Sequence, residues 1–200
     1  MMLKNDIIVN RVQSVLENKG YAFFSRGDYN LNIIGVRSEN RIANKFDDNL
    51  ICLYKYKGEW LVNSYDITTD AGTHWLKNPM NHKGCAILKE NQYRGCYQLG
   101  LHRGDYKALV QRKEVEVYRD NNWDNTLDMN AENIDKGYFG INVHRSNPKT
   151  ESVQVDKWSA GCQVFKNKGN YDRFISTCEK SSEMWGNSFT YTLIKKNELI

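Results

Sequence analysis

Two hundred residues at 40% hydrophobic content can bury one core and at most a small appendage, so a single domain is expected. Basic residues number 28 against 24 acidic, a net charge of +4, and no block of five or six Lys/Arg occurs, so nucleic acid is not an expected partner. No apolar run reaches membrane-spanning length and the first thirty residues lack a secretory signal pattern, so cytoplasmic synthesis without a signal peptide or membrane span is expected.

In chain order, Ile7, Ile8, Val12, Val15 and Leu16 fall at helical spacing behind Asn5 or Asp6 and ahead of Gly20. They predict a short amphipathic helix. Residues 1–30 are therefore read as a helical segment packed on the core, and residues 31–200 as the main domain.

From residue 31 to about 118 the text changes to short β-type runs broken by Gly, Asn and Asp: LNIIGVR, LICLYKY, EWLVNSYDI, GCAILK, CYQLGL, YKALVQ and EVEVY. Lys57-Gly58 between the second and third of these predicts a hairpin. Further strands are expected at YFGINVH, at residues 162–165 and at SFTYTLIKK. A second helix is expected where Tyr171, Phe174, Ile175 and Cys178 repeat at i, i+3, i+4 and i+7, behind Asn170 and ahead of Gly186. The fold class expected is mainly β with two helices, a β-rich α+β sandwich or barrel.

Five cysteines (Cys52, Cys85, Cys96, Cys162, Cys178) form an odd set without a CxxC pair, which argues against a disulfide framework and a zinc ribbon. His74, His82 and His102 show no short metal-ligand spacing either. The oxygen-bearing side chains of Asp120, Asn122, Asp124, Thr126 and Asp128 alternate as in the first part of a calcium loop. Asn125, however, stands at the turn-glycine position and Ala131 at the twelfth. Two readings stay open there, a solvated turn and a structural Ca²⁺ site, and no required cofactor is expected.

The stretch GYFGINVHRSNPKTESVQVDKWSAGCQVF, residues 137–165, carries the chemistry. A strand ending in His144, a polar loop and a returning strand after Ser159-Ala160-Gly161-Cys162 bring His144 and Cys162 to one end of a sheet. A thiol attacks only once its proton is removed, and a neighbouring imidazole is the usual base. Ala160 and Gly161 allow close approach, so backbone N–H groups can face a developing oxyanion, and Ser159 can add a hydroxyl.

Gly140-Ile141-Asn142-Val143-His144, followed 18 residues after His144 by the last residue of Ser159-Ala160-Gly161-Cys162, resembles the signature of L,D-transpeptidases of the YkuD-like fold. The resemblance covers about 30 residues and implies an L,D-transpeptidase-like β-sandwich. It implies Cys162 as acyl-accepting nucleophile, His144 as base then acid, and Ser159 as a supporting hydroxyl. It further implies Gly161 with Cys162 as the oxyanion site, and a backbone carbonyl near Arg145 that orients the imidazole. Arg145, Trp158, Tyr138 and His102 are expected to contact substrate.

The expected partner is bacterial peptidoglycan, met by a monomer, and the expected action is cleavage or transfer of an L,D-type amide in the stem peptide. Without an export signal, a phage-type lysis enzyme that reaches the wall after holin-type release fits best. Ala160 stands where the family has a second His, and Gln163 and Val164 replace the residues that commonly follow the nucleophile. A non-catalytic wall-binding or virion structural protein is the rival reading, and a cysteine protease acting on proteins a third.

Overall fold

The computed structural model describes residues 4–199. Helix α1 (Lys4–Asn18) leads into strands β1 (Asn32–Arg37), β2 (Asp48–Tyr56) and β3 (Glu59–Thr68), then the short helix α2 (Thr73–Lys77). Strands β4 (Cys85–Leu88), β5 (Asn91–His102), β6 (Tyr106–Gln111), β7 (Val115–Asp120), β8 (Ile134–Gly137), β9 (Val143–Arg145) and β10 (Gln163–Phe165) follow. Helix α3 (Lys168–Trp185), strand β11 (Phe189–Lys195) and a 3₁₀ turn (Lys196–Leu199) come last among the described residues.

The fold is mainly β, as expected. Eight strands close into a barrel in the order β1-β11-β5-β6-β9-β10-β3-β2, and a separate three-stranded sheet is ordered β4-β7-β8. Closure removes the open edges of the large sheet. The barrel is mixed: β1 runs parallel to β11 and β9 parallel to β10, while the remaining neighbours are antiparallel.

Alternation along the strands explains why the first β-type runs are apolar almost throughout. Ile33 of β1, Leu50, Cys52 and Tyr54 of β2, and Tyr191 and Leu193 of β11 belong to the main core. Their neighbours Ile34, Val36, Leu53 and Ile194 belong to a second core with Val9, Val12 and Leu16 of α1. Successive side chains point to opposite faces, and α1 covers one of them, so both faces are dry. In α3, Tyr171, Phe174, Ile175 and Cys178 join the main core, as their spacing predicts.

Four sequence expectations are corrected. Three α-helices occur among the described residues, because the five-residue α2 is too short to show a periodic stripe. The cap of α3 is Asn167, whose side chain accepts from the Asn170 N–H, and Asn170 lies inside the helix. Of residues 138–144 only Val143 and His144 are strand; Gly140, at φ +68°, interrupts the run. Strand β8 was not expected, because its sequence IDKG carries no β-type pattern and it is held only as the edge partner of β7.

One glycine in the barrel has a clear steric reason. A Cβ on Gly35 would stand 1.9 Å from the Tyr191 hydroxyl oxygen. The space left open lets Tyr191, fully buried, donate to Gln163 Oε1 at 2.7 Å. Gln163 Nε2 in turn lies 3.4 Å from the carbonyls of Thr69 and Gly161, so a buried polar chain runs from the barrel interior to the turn before Cys162. Tyr191→Phe leaves Gln163 Oε1 without its donor, and urea unfolding is expected to register a loss of about 1–3 kcal/mol.

Candidate active site

The parallel pairing of β9 with β10 sets the geometry. Gln163 lies opposite Val143 and Val164 opposite His144, which brings Cys162, one residue earlier, level with Asn142. The Asn142 N–H points at Cys162 Sγ at 3.4 Å. His144 lies two residues beyond Asn142 on the same face, roughly 7 Å along the strand. Cys162, just before β10, and His144 on β9 therefore lie on neighbouring segments two residues apart in register, and no hydrogen bond joins them. The thiol instead donates to the Gly140 carbonyl at 3.3 Å.

The turn before the nucleophile is held by Ser159, which is fully buried. Its hydroxyl donates to the Cys162 carbonyl at 2.8 Å and accepts the Gly161 N–H at 3.1 Å, and its own carbonyl accepts the Gly72 N–H at 2.9 Å. Gly161 sits at φ +120°, and a Cβ there would stand 2.2 Å from the Ala86 carbonyl oxygen, so no other residue fits. Since the Gly161 N–H is already engaged, the donor left to face an oxyanion is the Cys162 N–H, for which no acceptor is found among the described residues.

His144 is 3% exposed. Its Nδ1 lies 2.8 Å from the Arg145 carbonyl, which can only accept, so Nδ1 carries the proton and Nε2 keeps its lone pair. The Tyr106 hydroxyl lies 3.2 Å from both Nδ1 and that carbonyl. His102 stacks on His144 with ring centroids 4.0 Å apart and planes 20° apart. Asn142 Oδ1 accepts the Gln111 N–H, which fixes Nδ2 towards His102 Nδ1 at 3.2 Å and places the His102 proton on Nε2.

Charge on these groups is costly. Burial, helped by His102, Arg103 and Arg145, pulls the His144 imidazolium down to about 3 against the opposing pull of the Arg145 carbonyl. Burial first, then Arg103 and Arg145, pulls His102 down to about 4. Burial pushes the Cys162 thiol up to about 11, although the Asn142 N–H and Arg103 favour the thiolate. The resting pair is thus neutral thiol and neutral imidazole.

A stability prediction follows. An unfolded His takes up its proton near pH 6.5, well above the folded value for His144. The folded protein thus has the full benefit of neutral His144 above about pH 6.5 and loses it progressively as pH falls towards 3, at up to about 1.4 kcal/mol per pH unit. Asp70, raised to about 7 by burial, acts in the opposite sense, since its contribution is complete at low pH and is lost as pH rises through 7. The expected result is therefore read as a difference: between pH 6.5 and 5 the wild type loses about 2 kcal/mol relative to His144→Gln in parallel denaturant titrations.

Two cavities include residues of the nucleophile turn or next to it. One, about 330 Å³, is lined by His144, His102, Arg145 and Trp158 together with Arg103 and Lys157. The other, about 260 Å³, is lined by Tyr138, Ala160, Trp75, Cys85 and Arg119. Cys162, half-buried, forms the wall of neither. Of the residues expected to contact substrate, Arg145, Trp158 and His102 share the His144 cavity, and Tyr138 belongs to the other.

Sequence reading missed Asn142, Tyr106 and Gln163, which link Cys162, His144 and the barrel interior. The available signal was that Asn142 shares a strand face with His144. The loop of residues 120–128 closes on itself: Asp120 Oδ2 accepts the Asp128 N–H, Asp124 Oδ1 the Thr126 N–H, and Asn122 Nδ2 donates to Asp124 and Asp128. No group of three His, Cys, Asp or Glu able to hold a metal occurs among the described residues.

No protein-family model, no curated protein and no solved structure matches this chain. The residues themselves define the candidate: a thiol just before β10 and a tautomer-locked imidazole on β9 that lines a cavity.

Proposed function

We propose that the protein is a cysteine acyl-transfer enzyme acting on an amide of the peptidoglycan stem peptide, with an L,D-transpeptidase-like sandwich ancestry for its β-rich fold. The observation that carries the proposal is the juxtaposition of Cys162 with a His144 whose Nδ1 is tied to the Arg145 carbonyl and whose Nε2 is free to accept a proton. The substrate class comes from the motif that resembles the L,D-transpeptidase signature.

The neutral thiol gives its proton to His144 Nε2 as sulfur adds to the amide carbonyl, and the developing oxyanion turns towards the Cys162 N–H. His144 then hands that proton to the leaving amine, and a thioester remains. Water resolves it to a cut stem; an amine resolves it to a new cross-link. Hydrogen bonds of this kind are often long without substrate and tighten when it binds, which accommodates the separation of sulfur and imidazole. A phage-type wall hydrolase, working as a monomer after release through the membrane, is the setting we favour.

Purified protein incubated with defined muropeptides and read by mass spectrometry tests this. A mass change at a stem amide that disappears in Cys162→Ala supports the proposal, and an unchanged muropeptide set sinks it.

One observation favours the second reading, a non-catalytic wall-binding or virion protein: the thiol bonds to Gly140 and is held neutral. Alkylation separates the two. With the thiol near 11, Cys162 alkylation is expected to be slow at pH 7 and to rise about tenfold per pH unit up to about pH 10. On the enzymatic reading, His144→Gln slows it at pH 7, because the base is gone. An inert thiol in both proteins, with wall binding intact, favours the second reading.

A further inference from the structure

Away from the nucleophile turn, a cavity of about 510 Å³ opens where the loop after β7 meets residues 41–43. Arg41, Asn121, Thr126, Met129, Asn130 and Asn133 are among the residues that line it. Arg41 and Met129 also line a second cavity, of about 270 Å³, which continues past Ser38 to Lys195 and Asn197. The two therefore form one elongated groove. Towards the nucleophile turn, Arg119 lines both the larger cavity and the one that reaches Ala160.

Backbone pairing fixes the groove. Ile42 and Thr126 form an antiparallel bridge, the Ala43 N–H donates to the Asn125 carbonyl at 2.9 Å, and the Leu127 N–H donates to the Arg41 carbonyl at 2.8 Å. Arg119 is held by Asp135 at 3.1 Å, by the Gly84 carbonyl at 3.2 Å and over the Phe139 ring at 4.7 Å. The same loop takes Trp123 to φ +60°, a conformation that bulky residues rarely adopt, and leaves it 64% exposed.

The lining is polar but balanced in charge. Arg37 is paired with Glu90 and Arg119 with Asp135, which leaves Arg41 and Lys195 against Glu39 and Asp128. The side chains of Asn121 and Thr126 form no hydrogen bond among the described residues, and Asn130 uses only its amide oxygen, which accepts the Glu132 N–H. Arg41 gives one N–H to the Leu127 carbonyl at 3.3 Å and keeps its other donors. Side-chain amides and hydroxyls offer donors and acceptors together without net charge, which suits sugar hydroxyl and acetamido groups better than phosphate or carboxylate. An exposed indole beside them offers an apolar face to a sugar ring.

We infer that this groove holds the N-acetylated glycan strand, so that the strand binds apart from Cys162 and its stem peptide reaches the nucleophile past Arg119, through the cavity at Ala160. The inference rests on the wall-acting reading above and adds the part of the substrate that the thiol and imidazole do not touch. At about 510 Å³ the larger cavity has the size of a small-ligand site, and its continuation past Arg41 and Met129 lets a linear chain extend beyond it.

The test is an NMR titration of Cys162→Ala protein with tetra-N-acetylchitotetraose, and with cellotetraose, which lacks the acetamido groups. The N-acetylated sugar is expected to saturate in the millimolar range or below, at least about tenfold tighter than cellotetraose. Its shifts should map to residues 41–43 and 119–133, and added salt should change its affinity by less than about twofold, because the groove is balanced in charge. Arg41→Ala/Asn130→Ala, two exposed side chains, should weaken binding about tenfold and leave the spectrum elsewhere unchanged.

No saturable binding overturns the inference, as do shifts confined to the His144 cavity, equal binding of the two sugars, or full affinity in the double variant. Turnover separates this from the reading it rests on. Wild-type protein should cut a stem carried on a tetrasaccharide faster than the free stem, and Arg41→Ala/Asn130→Ala should lose that advantage while cutting the free stem at the wild-type rate. Protein that cuts both equally keeps the enzyme and loses the groove. Protein that binds the N-acetylated sugar in the groove but cuts nothing keeps the groove and loses the enzyme.

Discussion

Cys162→Ser and His144→Gln are each expected to lower turnover on a cleavable muropeptide by at least about a thousandfold, with little change in the folded state. The basis is shared function: on the proposed mechanism the Cys162 sulfur forms the thioester and His144 Nε2 is the base that makes it nucleophilic. Serine has a much higher pKa than cysteine, so a hydroxyl in the same place is a far weaker nucleophile at neutral pH. Groups that act as a unit are not additive, so the double variant is expected to be no worse than either single one. Single-turnover assays with mass detection of the acyl-enzyme check this. A His144→Gln protein that retains most of its rate removes the imidazole from the mechanism.

Replacing Arg37 is expected to have the largest effect on the fold. Arg37 is 2% exposed and lies with Nε 3.0 Å from Asp70 Oδ1 and Nη1 2.9 Å from Glu90 Oε1. The single Nε–H bonds the Thr69 hydroxyl at 2.9 Å, so Asp70 is held by charge alone, and Nη2 donates to the Thr69 carbonyl at 3.2 Å. Asp48, also buried, accepts from Thr69 through both its N–H and its hydroxyl and from the Ser38 N–H. Arg37 thus pairs with two carboxylates, and its charge also acts on Asp48. Arg37→Met leaves them buried together, and a loss of about 3–5 kcal/mol is expected in urea unfolding at pH 7.5.

The damage should reach the nucleophile turn as well. Thr69 and Asp70 lead directly to Gly72, whose N–H holds the Ser159 carbonyl, and Gln163 touches the Thr69 carbonyl. Asp70→Asn, by contrast, mimics the protonated carboxyl that burial favours up to about pH 7, and should cost about 1 kcal/mol or less. An Arg37→Met protein as stable as the wild type removes the cluster as a support of the barrel.

Local residue patterns carried the parts of this protein that depend on neighbours in sequence. The stripe of Tyr171, Phe174, Ile175 and Cys178 determined α3, the spacing of Val12 and Leu16 determined the buried face of α1, and the short β-type runs between turn residues determined most strands. His144 and Cys162 were legible as candidates because a strand, a loop and a small-residue turn stand close together in the chain.

Tertiary structure alone decided the rest. Barrel closure joins β1 to β11, more than 150 residues apart, through pairings that no local pattern encodes. His102, Asn142 and Tyr106 became partners of His144 because β5, β6 and β9 meet in space. The charge state of the thiol and imidazole was likewise decided by burial, since desolvation depends on every element packed around a group and not on the residues beside it in sequence.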